Sequence, residues 1–366
     1  MKITFVLPYA GLGGGVRVVA CLGEHLRRRG HTVTVVSLPM RQPSLRERLR
    51  GLMRGRIIGR WRHHRPEEGF FATTGITHHV INRYRPVVDR DVPEADWVVG
   101  TWFETAYWVA KLSPAKGRKA MFIQQYDANI DPAQRERVDA MWRMPIPKIV
   151  CSQWLSDLGQ TRFGTGPLPV VPNGIDTELF DALPRGRGHP PTLGLMYSPS
   201  PVKGLPIYLA VLEELRTTIP DLRIMAYGAG RPNPARIPPN CEFHLRPRQT
   251  EMKALYAKCD VWLCCSHSEG FHLPTHEAMA CRCPVVSTRV GGPMDMITDG
   301  YDGFLAAPGD VAGLAAGVRQ VLALGADDWV ELSDRAYANA RRYSWEKAAE
   351  QFEVALGGFA VSTLSP

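Results

Sequence analysis

No run of about 18 consecutive apolar residues, the length a membrane-spanning helix needs, occurs in the 366 residues. The longest apolar stretches, such as Val33–Leu38 and Val261–Cys265, have the length of buried strands. There is no internal repeat at a fixed period, no low-complexity segment and none of the usual nucleic-acid modules, so a solenoid and a nucleic-acid partner are not expected. Cysteine pairs at zinc spacing are also missing, because Cys281-x-Cys283 has no second pair. The eight cysteines read as small buried apolar residues, with Cys259, Cys264 and Cys265 in or beside an apolar strand. That usage suits a cytoplasmic protein whose thiols stay reduced. Met1-Lys2 and Ile3–Leu7 could open a signal peptide, but Pro8, small residues and Arg17 interrupt the apolar region, so a buried first strand is expected.

Apolar residues at 45% and charged residues at 22% exclude disorder, collagen and coiled coil as the main architecture. At ~100–200 residues per domain the length suggests two domains. The net charge of +8 is concentrated between Arg41 and Arg65, where nine arginines (41, 46, 48, 50, 54, 56, 60, 62, 65) face one acid, Glu47. A basic patch of this kind suits anionic lipid or an anionic small substrate.

Along the chain, Ile3–Leu7 reads as a strand, Gly11-Leu-Gly-Gly-Gly15 as a loop, Val16–Arg29 as a helix stopped by Gly30, and Thr32–Leu38 as the next strand. A β–loop–α–β unit predicts a parallel sheet. Further strands are expected at Trp97–Gly100, Ala120–Gln124, Lys148–Ser152 and from Val170. The stretch 181–191, rich in Gly, Pro and charge, reads as a linker. Strands and helices then alternate again: Thr192–Met196, Leu205–Thr217, Leu222–Tyr227, Glu251–Ala257, Val261–Cys265, Thr275–Ala280 and Pro284–Ser287. The glycine loop is not a dinucleotide fingerprint: the third glycine of the frame from Gly11 is Val16, and the second strand ends Ser37-Leu38-Pro39 without the ribose-binding acid. Its backbone N–H groups before a helix can still receive a phosphate.

The most informative stretch is Ser266-His-Ser-Glu-Gly-Phe-His-Leu-Pro-Thr-His-Glu277. A strand ends at Cys265, a tight loop follows, and Pro274 marks the first helical turn. Phe271 to Thr275 would present N–H groups and a hydroxyl at a helix start that favours an anion. Glu269 before the loop and Glu277, placed in the first turn, would flank that anion, one reaching a sugar hydroxyl and the other a ribose. The same pair also reads as capping acids around an ordinary turn.

Asp260, Glu269-Gly-Phe-x-Leu-Pro-x-x-Glu-Ala-Met-Ala280, Pro284-Val-Val, Gly291-Gly292 and Asp299-Gly-x-x-Gly-Phe-Leu305 together resemble the family 4 retaining glycosyltransferases of the GT-B fold. Val171-Pro-Asn-Gly-Ile-Asp-Thr-Glu-Leu-Phe180 is similar to that family's interdomain segment, and Gly13-Gly-Gly-Val16 to its donor loop. The resemblance covers most of the chain and is weak over Met40–Pro93. It implies two Rossmann-like doubly wound α/β domains facing a central cleft: residues 1–180 on the acceptor side, 181–191 as linker, 192–344 binding the nucleotide sugar, and a helix over about 345–366 packing back on the first.

The resemblance also implies roles. Glu269 contacts the donor sugar and Glu277 the ribose. The N–H groups of Gly270, Phe271, His272, Leu273 and Thr275, with the Thr275 hydroxyl and the Pro274 turn, hold sugar and diphosphate. Gly13, Gly14 and Gly15 meet the diphosphate from the other domain. Lys203, in Pro201-Val-Lys-Gly204, stabilises the leaving diphosphate. There are two departures: Ser198 stands where the family carries an Arg, and His272 where it carries a Gly. Arg246 or Arg248 is a candidate replacement for the missing cation. On the acceptor side, Gln125, Tyr126 and Asp127 resemble bacterial rhamnosyltransferase-like members, and Trp102, Phe103 and Glu104 could line the acceptor groove.

The expected activity is transfer of a sugar, with retention, from a nucleotide diphosphate donor to a hydroxyl acceptor, lipid-linked acceptors included. No cofactor and no metal are expected, and Asp89-Arg-Asp91 reads as surface. A catalytically weak sugar-nucleotide or glycan binder, and a GT-B phosphorylase or epimerase, are the alternatives. Finally, Leu45, Leu49, Leu52, Met53, Ile57 and Trp61 recur at mostly helical spacing with arginines around them. That pattern suits a helix lying on an anionic membrane at its cytoplasmic face, a helix packed on the first domain with a solvated basic face, or a seat for an anionic acceptor.

Overall fold

A computed structural model of the chain describes residues 1–11, 13–41, 43, 45–53, 69–233, 237 and 240–362. Six strands, β1 (Lys2–Leu7), β2 (Thr32–Ser37), β3 (Thr77–Val80), β4 (Trp97–Gly100), β5 (Arg118–Ile123) and β6 (Lys148–Val150), form one parallel sheet in the order β3-β2-β1-β4-β5-β6. Six more, β7 (Thr192–Met196), β8 (Arg223–Gly228), β9 (Cys241–Leu245), β10 (Val261–Cys264), β11 (Val285–Thr288) and β12 (Phe304–Ala306), form a second in the order β12-β11-β10-β7-β8-β9. Numbered from its own first strand, each sheet has the order 3-2-1-4-5-6 of a doubly wound Rossmann sheet. The order reverses between β1 and β4, and again between β7 and β10. At such a switch point neighbouring connections leave to opposite faces, and the strands' carboxyl ends open a crevice.

By compactness the chain divides into two units, Met1–Gln124 with Glu136–Ile149 and Ala349–Pro366, and Gln125–Arg135 with Val150–Ala348. In the first unit, α1 (Gly14–Arg28) turns Val18, Val19, Leu22 and Leu26 into the core, and Gly30 follows its C-cap at φ +89°. α2 (Leu45–Met53), α3 (Phe103–Val109) and α4 (Arg135–Arg143) follow in chain order. Phe352 of the last helix packs on Phe5 and Phe122, with ring centroids 5.7 and 5.3 Å away.

The second unit carries α5 (Gln153–Phe163), α6 (Leu205–Arg216), α7 (Gln249–Lys258), α8 (Leu273–Ala280), α9 (Gly291–Met296), α10 (Val311–Ala323), α11 (Ala326–Ala340) and the start of α12 (Trp345–Ser362). Its core joins Leu193, Leu195, Val261 and Leu263 of the central strands to Val211 and Leu215 of α6 and Leu314 and Val318 of α10. Asp260, fully buried at the start of β10, accepts bonds from Gly188 N, Thr192 N and Arg185, so it organises the chain entering β7.

The strand expected from Val170 is reduced to a single bridge, Val150–Val170, because Pro169 and Pro172 on either side have no N–H to donate. Asp89-Arg-Asp91 is a single 3₁₀ turn. Asp91 accepts both arms of Arg85 at 2.5 and 2.7 Å, and Asp89 accepts from Ser113 N at 2.9 Å. On α2, Leu45, Leu49, Leu52 and Met53 are 76, 59, 61 and 87% exposed. The rest of the arginine-rich stretch, Arg54 to Arg65 with Ile57 and Trp61, lies outside the described residues. No described helix is long and apolar enough to cross a membrane.

Candidate functional site

A cluster of charged side chains sits at the switch point of the second sheet. β7 leads through Tyr197 and a 3₁₀ turn, Pro201–Lys203, into Gly204 and α6. Gly204 is left-handed at φ +69°, and a Cβ there would lie 1.9 Å from the Cys265 carbonyl oxygen, so only glycine lets this loop close on the end of β10. His267 N donates to Val202 O at 2.7 Å and ties the two loops together. Lys203 and Glu269, 66 residues apart in sequence, thereby meet. Lys203 Nζ donates to Glu269 Oε1 at 2.7 Å and to Oε2 at 2.9 Å.

Glu269 is almost fully buried (7% of its side chain exposed), whereas the Lys203 side chain keeps 28%. Ser266 Oγ donates to Glu269 Oε1 at 2.5 Å. Burial alone would push the Glu269 carboxyl up. The Lys203 charge, that of His272 in its protonated form, and the bonds from Lys203 and Ser266 outweigh it and hold the group below the usual carboxylate value.

The loop is braced from behind by α9. A Cβ at Gly291 would fall 1.7 Å from the Glu269 carbonyl oxygen, and one at Gly292 2.1 Å from that of Phe271, while Gly292 N donates to Gly270 O at 3.0 Å. These two glycines let α9 start directly against the loop. Among the described residues no acceptor meets the backbone N–H of Gly270, Phe271 or His272. Those groups precede α8, whose dipole adds positive potential.

His272 is the N-cap of α8 and adopts a left-handed φ of 65° without being glycine, a conformation costing ~1–3 kcal/mol that the surroundings must impose. Its Nδ1 lies 2.6 Å from Thr275 Oγ1, and its Nε2 lies 3.8 Å from both Cys264 Sγ and Glu269 Oε1. Burial lowers the basicity of this ring, but Cys264 and Glu269 more than restore it, and its pKa is raised. Cys264, which burial would push up, is instead held at about 7 by His272.

Pro274 is the second residue of α8 and Glu277 the fifth, so Glu277 lies one turn deeper than the first turn where the sequence places it. Glu277 is buried and accepts from Tyr256 Oη at 2.7 Å, and Tyr256 bonds Tyr227 at 3.0 Å. Phe271 packs on His276, which is also buried against Tyr343 and held neutral with its pKa lowered to about 3 by burial. Leu273 is buried in the same turn.

Lys203, Glu269, His272 and Thr275 thus form one connected group, and Glu277 a second along the same helix. No bond among the described residues joins Ser198 or Arg246 to them. Ser198 Oγ accepts from Ser200 N at 3.3 Å, and exposed Arg246, after β9, donates to Ala229 O at 2.6 Å.

In the first unit, Gly13 caps α1 in an extended conformation. Among the described residues, Cβ atoms at Gly13 or Gly14 would meet nothing within 4 Å. Gly15 O accepts from Gln124 Nε2 at 3.3 Å. Trp102 caps α3 after β4 and is half-buried, and Arg137 lies over Phe103 and 3.6 Å from Glu104.

The segment 125–135 belongs to the second unit. There Gln125 Nε2 donates to Asp127 Oδ1 at 3.2 Å, Tyr126 is buried under Arg162, and Asn129 Nδ2 donates to Ser268 Oγ at 2.8 Å, next to Glu269. Sequence reasoning assigned no part to Ser266, Tyr256 or Cys264. Ser266 stands three residues before Glu269, the spacing at which a hydroxyl reaches back in a tight loop, and was the one signal available.

Residues 191–323, from β7 to the end of α10, match the family model of Glycosyl transferases group 1. The chain is 32% identical over 216 residues to a glycogen synthase of Mycobacterium tuberculosis, covering 55% of this chain and 51% of that protein. It is 28% identical over 226 residues to a phosphatidyl-myo-inositol mannosyltransferase of Propionibacterium freudenreichii, covering 60% and 56%. The match spans about half the length of these relatives. Among solved structures, Anabaena HepE in complex with UDP and glucose aligns over 98% of this chain and 100% of its own, with a TM-score of 0.72 and 17% identity. A sucrose-phosphate synthase from Thermosynechococcus elongatus aligns over 99% and 100% with a TM-score of 0.70 and 16% identity. The fold is GT-B, with two Rossmann-like α/β domains, and the match to the glycosyl transferases group 1 model lies within the second of them.

Proposed function

We propose that the chain is a retaining glycosyltransferase that moves a sugar from a nucleotide diphosphate donor to a hydroxyl acceptor. The observation that carries this reading is the Lys203–Glu269 pair at the second switch point, beside the free N–H groups that precede α8. Lys203 and those N–H groups supply the positive field a diphosphate needs, preorganised where charge develops as the bond to the sugar breaks. Glu269 orients the sugar through its hydroxyls. Glu277 holds the ribose, its second oxygen kept in place by Tyr256. One oxygen of the departing diphosphate accepts the acceptor's proton on the same face, so no separate nucleophile is required. The group 1 match and the glycogen synthase and mannosyltransferase relatives support sugar transfer, and the UDP bound to HepE supports a nucleotide donor.

Lysine and helix start do here what a metal does elsewhere, so transfer needs no cation. Gln125, Tyr126, Asp127 and Trp102 serve the acceptor. The exposed leucines of α2, interleaved with exposed Arg46 and Arg50, suit an anionic bilayer, each arginine adding about 1 kcal/mol near such a surface. These exposed side chains support a lipid-linked acceptor at the cytoplasmic face.

Incubation with a panel of sugar nucleotides, read by mass spectrometry, tests the reading. One donor should be consumed with release of its nucleoside diphosphate. Tight binding of a donor without turnover would instead make the chain a sugar-nucleotide binder, the outcome that Ser198 in place of an arginine favours.

A further inference from the structure

Lys203 is given to the diphosphate in the reading above, yet in the structure both Glu269 oxygens already occupy its ammonium, at 2.7 and 2.9 Å. An arriving diphosphate must draw Lys203 away from a carboxylate that has almost no access to water. A buried carboxylate stripped of its cation is costly unless another positive group takes over. Among the described residues, the side chains around Glu269 include one such group. His272 places Nε2 3.8 Å from Glu269 Oε1 and anchors Nδ1 on Thr275 Oγ1 at 2.6 Å. The ring is held there by a left-handed backbone that disfavours every residue but glycine.

We propose that Lys203 and Glu269 form a latch that an entering diphosphate opens, and that His272 is the positioning residue that takes Lys203's place, becoming protonated as the lysine leaves. The proposal rests on the diphosphate reading of Lys203. No covalent step is involved: one proton from solvent enters the ring. The protonated ring then carries N–H on both nitrogens, Nδ1–H donating to Thr275 and Nε2–H facing Glu269.

Among the described residues, the groups facing the ring are Cys264 from β10, Glu269 from the loop, Lys203 from the turn before α6, and Thr275 and His276 from α8. Tyr208 of α6, donating to Leu263 O at 3.0 Å, lies on the same strand end. His276 is neutral, Thr275 carries no charge, and Tyr208 is pushed further toward its neutral form by burial. The sign then follows from three groups. Lys203 opposes protonation of His272, while Glu269 and Cys264 favour it. Removing Lys203 from the pair raises the basicity of His272, so binding takes up a proton.

The test is an NMR titration of the histidine side chains of the full chain, with the His272 signal assigned by its loss in His272→Asn. Lys203→Met, with Lys203→Gln as a second variant, is expected to move the His272 titration up by ~0.5 pH unit or more, and Glu269→Gln to move it down. In wild type, saturating inorganic pyrophosphate is expected to move it up. Cys264→Ala should leave the upward shift caused by pyrophosphate in place.

If neither lysine variant moves the titration, if Glu269→Gln fails to lower it, or if pyrophosphate binds without raising it, the proposal is overturned. It is equally overturned if Cys264→Ala abolishes the shift, because the ring would then be answering to the thiol. Absence of pyrophosphate binding counts against the diphosphate reading, and the lysine and glutamate variants still decide the role of His272.

Discussion

Replacing Lys203 by Met removes one half of a buried ion pair and leaves the shape of the stem. Breaking a buried pair on one side costs ~3–5 kcal/mol when the surviving charge is left uncompensated. Two features of the site reduce that figure. The Lys203 side chain is 28% exposed, and Glu269 keeps the Ser266 hydroxyl at 2.5 Å and His272 at 3.8 Å. A loss of about 2 kcal/mol is therefore expected for the second unit near neutral pH. For a domain of 150–250 residues this corresponds to a fall of roughly 4–8 °C in melting temperature.

The pH dependence separates this cause from simple loss of packing. In wild type the Glu269 carboxyl lies below its ordinary value, so it contributes stability above the unfolded pKa, lost as pH falls through the folded one. In Lys203→Met the folded carboxyl moves up. The unfolded value is common to both proteins, so the variant's deficit is full above its own raised folded pKa and shrinks as pH falls from there toward the wild-type folded value. Adding Glu269→Gln to Lys203→Met should recover half or more of the loss, because a neutral amide needs no counter-charge. The assay is thermal unfolding by circular dichroism and calorimetry of wild type, both singles and the double, from neutral to acid pH. A deficit in Lys203→Met that stays constant across pH, or a double variant no more stable than that single, would refute the reasoning.

Other outcomes follow from the same site. Glu269→Gln should keep the fold and lose ~10²-fold or more in turnover, measured as nucleoside diphosphate release; equal rates would remove Glu269 from the reaction. Transfer should persist in excess EDTA, and full loss restored by magnesium or manganese would require a carboxylate metal site instead. Wild type should pellet with vesicles containing anionic lipid at low salt and be released at high salt, and Leu49→Ser with Leu52→Ser should stay in the supernatant; unchanged pelleting of that variant would take α2 off the membrane.

The interior strands of both sheets were legible because each carries a short run of buried, mostly apolar residues, as in Val261–Cys264 and Trp97–Gly100. The strands that escaped detection, β3, β9 and β12, are all at sheet edges. There one neighbour is missing, side chains are half-exposed, and sequences such as Thr-His-His-Val carry no apolar signal. Gly291-Gly292 and Gly204 were visible as motif letters, but the need for glycine there comes from carbonyl groups of loops distant in sequence.

Lys203 and Glu269 were each singled out from sequence. Their bond to one another was not, because it depends on β7 and β10 being neighbours, which strand order settles and local pattern does not. His272 appeared as a backbone donor and as a departure at a glycine position, and its side chain's link to Glu269 and Cys264 depends on a left-handed turn no propensity favours. Tyr256 was hidden for the same reason, since it reaches Glu277 across the packing of α7 on α8.

A crystal structure of the protein with the nucleoside diphosphate of the donor it consumes would test the central claim most directly. The account predicts the diphosphate at the start of α8, with oxygens on the N–H groups of Gly270 to His272, Lys203 Nζ within hydrogen-bond distance of a phosphate, and the ribose on Glu277. A diphosphate bound elsewhere, with the Lys203–Glu269 pair intact at 2.7–2.9 Å, would contradict it.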